Sequence, residues 1–306
     1  MQTSPTPTLN PAQHRLDCIA CGYHIDPAQP PAFATFRCNV RSHLNDPFRV
    51  WRCPDCGTIH CLEKVDLDFY YKGYPLAKAQ LNFGTRACFR NVLKQLHHFA
   101  PHHKLLDYGC ANGVAIRCFQ EQGFPHCYGY DPYGSPERFG NPAVLDQAPF
   151  DYILLQDVLE HVEDPRSLLR SLDGLLAPGG YILIGMPRAD RIDLNQPDCS
   201  DYNNVVHVPY HLHLFTPEGL NQLGIQQGWQ PVQLFEQAYH DTRWFGVNSR
   251  SWNAYQRLGD GAIDAIYEPI QLSRALTSPD LLRSAALGYW TSLHLHMAIL
   301  FRKSIA

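Results

Sequence analysis

Between residues 103 and 187, short apolar runs alternate with amphipathic stretches. The runs KLLDYG, HCYGYD, DYILLQD and YILIGMP read as strands buried on both faces. NGVAIRCFQEQG and DPRSLLRSLDGLL carry apolar residues at helical spacing, and a Pro-Gly-Gly turn precedes the last run. Strands separated by helices of roughly 10–15 residues predict parallel βαβ units and a doubly wound α/β sheet. Farther on, WQPVQLFEQ and HLHMAILFRK read as two more strands. Between them, about 245–290 reads as mostly helical and holds Trp244, Phe245, Trp252, Tyr255 and Trp290.

Upstream the pattern changes. Residues 66–99 place Leu81, Ala87, Phe89, Val92, Leu93 and Leu96 at helical spacing before Pro101, which predicts a helical connector. The stretch from Cys18 to Cys61 is cysteine-dense and punctuated by prolines, and residues 1–15 are rich in Pro, Thr and Ser. The predicted organisation is a disordered tail at 1–15, a cysteine module at 16–65, a connector at 66–102 and an α/β domain at 103–306.

Composition sets limits on function. Of 306 residues 45% are hydrophobic and 18% charged, enough to bury a sizeable core. Twenty-five basic against 29 acidic residues give a net charge of −4, which argues against a general polyanion binder and predicts no nucleic-acid partner. The start, MQTSPTPTLNPAQHRLD, has neither a charged n-region nor an apolar h-region, and no apolar run approaches the ~20 residues of a membrane span. A cytoplasmic location is expected. Six of the 11 cysteines precede residue 62 and four of those form two Cys-x-x-Cys pairs, unlike a short secreted disulfide scaffold.

The loop Asp107-Tyr-Gly109-Cys-Ala111-Asn-Gly113 follows the first of the apolar runs and opens a helix, where the backbone must turn sharply and approach a ligand. Asp131 ends the next strand, placed for a carboxylate to accept both ribose hydroxyls, and Asp157 ends a third. Ala111 and Val114 occupy two glycine positions of the dinucleotide fingerprint, and no G-x-x-x-x-G-K-[ST] phosphate loop is present. Asp107 would repel a pyrophosphate but could receive an amino group, features that fit S-adenosylmethionine. Each acid also has a plainer reading: Asp107 and Asp157 as helix caps, Asp131 before Pro132 as a turn initiator.

LLDYGCANG, GYDP, FDYILLQDVLEHVEDP and LLAPGGYILIGMP resemble, in order and spacing, the motifs of class I S-adenosylmethionine-dependent methyltransferases. HLHLFTPEGLNQLGIQQGW resembles the stretch that follows in their small-molecule branch. The resemblance covers about 103–237, plus HMAILFRK as the final antiparallel strand, and implies a Rossmann-like, seven-stranded, mostly parallel sheet. It implies Asp107, Gly109, Ala111 and Gly113 around the methionine end, Asp131 on the ribose, and Asp157 and Val158 beside the methionine and sulfonium. The short gap from Asp131 to Asp151 assigns the third strand to AVL around Val144 and the adenine contact to Asp146.

Methyl transfer needs an aligned nucleophile and, for a hydroxyl or acidic C–H, a proton acceptor, a task suited to histidine. His161 follows the third strand end; His207, His211 and His213 lie beyond the last parallel strand. His211 and His213 alternate, so in an extended chain only one faces the pocket. The family's His-Leu-x-x-Phe-Thr pattern favours His211, with His161 as the second candidate base. A three-histidine metal site is set aside because no carboxylate is spaced to join it.

Cys18-x-x-Cys21-Gly and Cys53-x-x-Cys56-Gly read as two knuckles of a structural zinc ribbon, Cys38 and Cys61 being alternate ligands and redox use the rival. Arg37, Arg41, Arg49 and Arg52, interleaved with Phe33, Phe36, Phe48 and Trp51, would be the nucleic-acid face if the ribbon had one. A ribbon joined to a class I domain is similar to sugar and natural-product methyltransferases, where it helps to cover the substrate. The His-x-His before Phe-Thr is similar to sugar C-methyltransferases, with Leu212 where they have Glu. Methylation of a small-molecule or saccharide-like acceptor is expected. RNA or protein methylation, or silent binding of the cofactor, are the alternatives.

Overall fold

The computed structural model describes residues 9–75, 79–196 and 200–305. The first elements are strands β1 (Phe33–Arg37), β2 (Pro47–Arg52) and β3 (Ile59–Cys61), an antiparallel meander. The connector holds two helices, α1 (Leu67–Tyr71) and α2 (Phe83–Gln95), where the sequence predicted one. Gly73, at φ +84°, and Pro75 separate them. An Asn82–Thr85 capping box then restarts the helix, which buries Ala87 and Val92.

The main sheet follows the predicted alternation: β4 (Leu105–Tyr108), α3 (Val114–Glu121), β5 (Cys127–Tyr130), β6 (Phe150–Gln156), α4 (Pro165–Leu175) and β7 (Leu176–Pro187). Beyond lie α5 (Ser200–Val206), β8 (His213–Leu214), α6 (Pro217–Gln226) and β9 (Trp229–Phe235). The helical insertion is α7 (Ser249–Arg257), α8 (Leu272–Leu276) and α9 (Pro279–Leu287), and β10 (His296–Lys303) runs antiparallel between β7 and β9.

The sheet order is β5-β4-β6-β7-β10-β9, six strands among the described residues instead of seven. The expected third strand, AVL around Val144, is a 3₁₀ turn at Pro142–Gln147, with Asn141 as its cap and proline at its start. Residues 131–149 are too few for helix, strand and helix, since one parallel crossover alone takes a dozen or more residues. β4 and β6 flank the point where strand order reverses, the crevice where open α/β sheets take ligands.

The cysteine module is joined to the main domain. β8 pairs antiparallel with β3, extending the small sheet to the order β1-β2-β3-β8. Trp51, Cys53, Ile25 and Leu16 share one core with Phe150, Ile153, Leu159 and Leu169. Residues 1–8 of the predicted disordered tail lie outside the described residues, but His14 and Arg15 are buried. The Arg15 N–H donates to the Leu62 carbonyl and its guanidinium pairs with Glu163, so the ordered chain begins before residue 16. Arg166 of α4 donates to the Ile19 and Ala20 carbonyls at 3.0 and 2.9 Å, fastening the first knuckle.

Arg166→Ala removes both of these charge-assisted bonds and a third to the Gln226 side-chain oxygen, and is expected to destabilise the protein by about 2 kcal/mol. Denaturant unfolding measures this; an unchanged midpoint would show that the knuckle is held by packing alone.

Candidate active site

The Gly109–Gly113 loop leaves β4 through three left-handed residues, Gly109 (φ +79°), Ala111 (φ +48°) and Gly113 (φ +72°). A Cβ on Gly109 would stand 2.4 Å from the Val158 Cγ2, and one on Gly113 would stand 2.2 Å from the Phe139 ring, so both positions need glycine. The Ala111 N–H donates to one Asp131 oxygen at 2.8 Å and the Tyr133 N–H to the other at 2.9 Å. Asp131 thus braces the loop; each of its oxygens keeps a second lone pair for another donor.

A cavity of about 1190 Å³ opens at the switch point. Asp107, Gly109, Ala111 and Asp157 line its sheet side; Phe83 and Phe89 of α2 face them, and Val247, Trp252 and Leu281 come from the insertion. Asp107 is buried, with no hydrogen-bond partner among the described residues. Burial, reinforced by the Asp131 charge, raises its pKa to about 7. Asp157, held at φ +54°, accepts from the Tyr239 hydroxyl at 3.0 Å and the Gln156 amide at 3.2 Å, and burial raises its pKa too.

Two lining residues escaped the sequence reading. His240, after β9, and His296, opening β10, meet edge to face with ring centroids 4.5 Å apart. Burial, then His240, holds the His296 pKa well below the ordinary histidine value. The signal was available in the final strand: running antiparallel to β7, it must begin at the ligand edge, and His296 is opposite Pro187.

Of the other expected cofactor residues, Val158 packs on Gly109 and Gly113 lies beneath Phe139. Asp146 is a correction. It is exposed in the 3₁₀ turn that leads into the amino end of β6, where Gln147 accepts from Lys104 just before β4. In a parallel pair that is the edge opposite the ligand crevice, and Asp146 is not among the cavity's lining residues.

His161 and His211 are not among the cavity's lining residues. They meet with ring centroids 4.7 Å apart beside Glu160, which is fully buried. Burial lowers the His161 pKa to about 4 and raises that of Glu160 well above the carboxylate range. His213 turns the other way, its Nδ1 2.9 Å from the His60 Nδ1.

The Sγ atoms of Cys18, Cys21, Cys53 and Cys56 all lie within 4.8 Å of one another, with Cys18–Cys56 at 3.4 Å and Cys21–Cys53 at 3.5 Å. A tetrahedral cage with Zn–S near 2.3 Å separates sulfurs by about 3.8 Å, so the four-thiolate set fits zinc. Cys38 and Cys61 stand apart from the cluster, their thiols pushed by burial to about 11 and about 12. The arginines of the module are engaged internally: Arg41 with Asp260 and Glu268, Arg49 with Glu63, Arg37 with the Asn45 carbonyl. Arg52 donates to the Gly57, Ala189 and Ile192 carbonyls. No helix among the described residues is long and apolar enough to cross a membrane.

Residues 80–234 match the sequence profile of a methyltransferase domain. A ubiquinone biosynthesis O-methyltransferase of Caulobacter sp. (strain K31) is 30% identical over 103 residues, covering 26% of this chain and 39% of that protein. The chain thus aligns with about two fifths of this curated relative. Among solved structures, phosphoethanolamine N-methyltransferase 2 of Haemonchus contortus superposes with a TM-score of 0.47 at 14% identity, over 80% of this chain and 64% of that one. A methyltransferase of Archaeoglobus fulgidus gives 0.43 at 16% identity, over 77% and 100%. The profile match spans half the sequence and contains the glycine loop and all three strand-end acids, so the chain belongs to the methyltransferase-domain family.

Proposed function

We propose that this enzyme methylates a small-molecule acceptor held in the cavity between the sheet edge and the helical insertion. The observation that carries this reading is Asp107: a buried carboxylate in the cavity wall, with no cationic partner among the described residues. S-adenosylmethionine, when bound, supplies an electrophilic methyl group on a sulfonium and an ammonium of its own. Asp107 would hold the ammonium, Gly109 and Ala111 would let the backbone approach, and the free lone pairs of Asp131 would take the ribose hydroxyls. Asp157, fixed by Tyr239 and Gln156, presents negative charge to the sulfonium side.

The acceptor would lie against Phe83, Phe89 and Trp252, surfaces suited to a flat or apolar face, a saccharide ring included. An imidazole nitrogen of His240 would take the acceptor's proton, with His296 fixing its ring. This assigns the base to the cavity, in place of the His211 and His161 expected from the motif. Zn²⁺ in the four-thiolate cluster would be structural, because four protein ligands leave no open position.

With the Asp107 pKa raised to about 7, its carboxylate is charged above that pH and protonated below it. Cofactor affinity is therefore expected to peak a little above pH 7, to fall by up to about tenfold per unit below it as Asp107 takes a proton, and to decline again above about pH 8 as the ligand's α-ammonium loses one. Calorimetry tests this, and Asp107→Asn should weaken binding and remove the fall on the acid side; an acid-side slope retained in the variant would move the ammonium site elsewhere. His240→Asn should lower kcat by about 10²-fold or more while changing cofactor Kd by less than about twofold. A His211→Asn variant with that same split, beside an active His240→Asn, would return the base to the motif histidine. Because the thiolate module shares the main core, chelation should lower the unfolding temperature of the whole protein in one transition, and an early melt of 16–65 alone would refute shared packing.

A further inference from the structure

We propose that Glu160, His161 and His211 form a second metal site, taking a divalent transition ion of the zinc class. One ligand atom from each lies within 4.8 Å of the other two, and the His211 Nε2 is 4.0 Å from the Glu160 Oε1. The sequence could not suggest this set, because the carboxylate that a histidine cluster needs stands some fifty residues before His211.

The hydrogen-bond pattern makes a cation the missing component. Glu160 is fully buried and neither carboxylate oxygen has a hydrogen-bond partner among the described residues. The His211 Nδ1 lies 2.7 Å from the Val205 carbonyl, and the His161 Nδ1 lies 3.0 Å from both the Tyr210 carbonyl and the Tyr71 hydroxyl. A carbonyl only accepts, so the His211 Nδ1 carries the proton and its Nε2 a lone pair; with the Tyr71 hydroxyl as a second acceptor, the His161 Nδ1 donates to the Tyr210 carbonyl and its Nε2 is free as well. Backbone carbonyls fix metal-ligating histidines in this way. In that tautomer two imidazole lone pairs and a carboxylate share one region, with no donor bonded to the carboxylate among the described residues. A proton on Glu160 would not resolve it, since no acceptor lies within hydrogen-bond reach of either oxygen.

His207 packs on His211 but is excluded as a ligand. Its Nδ1 is engaged by Asn39 at 2.6 Å and its Nε2 by the Tyr74 hydroxyl at 2.8 Å. Two imidazoles and one carboxylate select a zinc-class ion over Mg²⁺ or Ca²⁺, which prefer oxygen donors. Closing to ligand distances near 2.1 Å asks the side chains to draw together by about 1 Å. The Leu212 N–H already donates to the Glu160 carbonyl at 2.7 Å, so the two segments are locked at the backbone. The ion would neutralise Glu160 and pin the turn after Asp157 to the segment carrying Val205, both walls of the cavity.

The full chain is stripped of metal by chelation, reconstituted with Zn²⁺ and dialysed, and bound zinc is counted by mass spectrometry. Two ions per chain are expected. Glu160→Gln and His211→Asn should each lose one, with affinity at that site down at least 100-fold, while Cys56→Ser should lose the other. If both variants keep the wild-type count, the site does not exist. If only the thiolate reading fails, one Glu160-dependent ion remains and Cys56→Ser changes nothing. Should the variants not fold, the Co²⁺-substituted wild type decides. A second Co²⁺ equivalent that adds ligand-field intensity without adding thiolate charge transfer supports the second site, and saturation of both signals at one equivalent overturns it.

Discussion

A carboxylate taken out of water needs positive charge or several donors nearby, and along one sheet edge this protein buries two, Asp107 and Glu160, and half-buries a third, Asp157. Asp107, Asp157 and Glu160 lie at or just beyond the ends of β4 and β6, where the parallel strands all deliver their carboxyl termini. Burial pushes all three pKa values upward, the mark of charge that the fold alone does not settle. On the readings proposed above, the edge would be completed by cations: positive ligand groups for Asp107 and Asp157, and an ion for Glu160.

The same edge explains why the cysteine module is attached where it is. The segment from α5 to β8 carries Val205 on the cavity wall and His211 behind it, then pairs through Ile59–Leu214 and His60–His213 with the module's last strand. With Trp51 and Ile25 in the main core, the thiolate cluster supports the wall instead of hanging from it. Two of the arginines that resembled a nucleic-acid face reach beyond the module: Arg52 holds the carbonyls of Ala189 and Ile192, just after β7, and Arg41 pairs with Asp260 and Glu268.

Most of the sheet and the glycine loop were legible because they depend on local periodicity and on backbone shape. Gly109 and Gly113 can take the positive φ that the turn after β4 requires, and they do. Asp146 was misplaced because its position depended on a strand that residues 131–149 are too short to make. The histidines were harder for a different reason. His161 and His211 sit in recognisable motifs, but where an imidazole points is decided by packing, and here they turn towards Glu160. His240 and His296 belong to no motif and come together only through the pairing of β9 with β10.

β10 fills the slot between β7 and β9, and its first residue closes the cavity beside His240. Both neighbours of β10 precede it in the chain, so their facing edges have no partner in this sheet until residues 296–303 have been synthesised. Non-local pairing of this kind forms slowly. A nascent chain would therefore expose the flanks of β7 and β9 for a time, which makes that open slot the point at which a chaperone would be most useful.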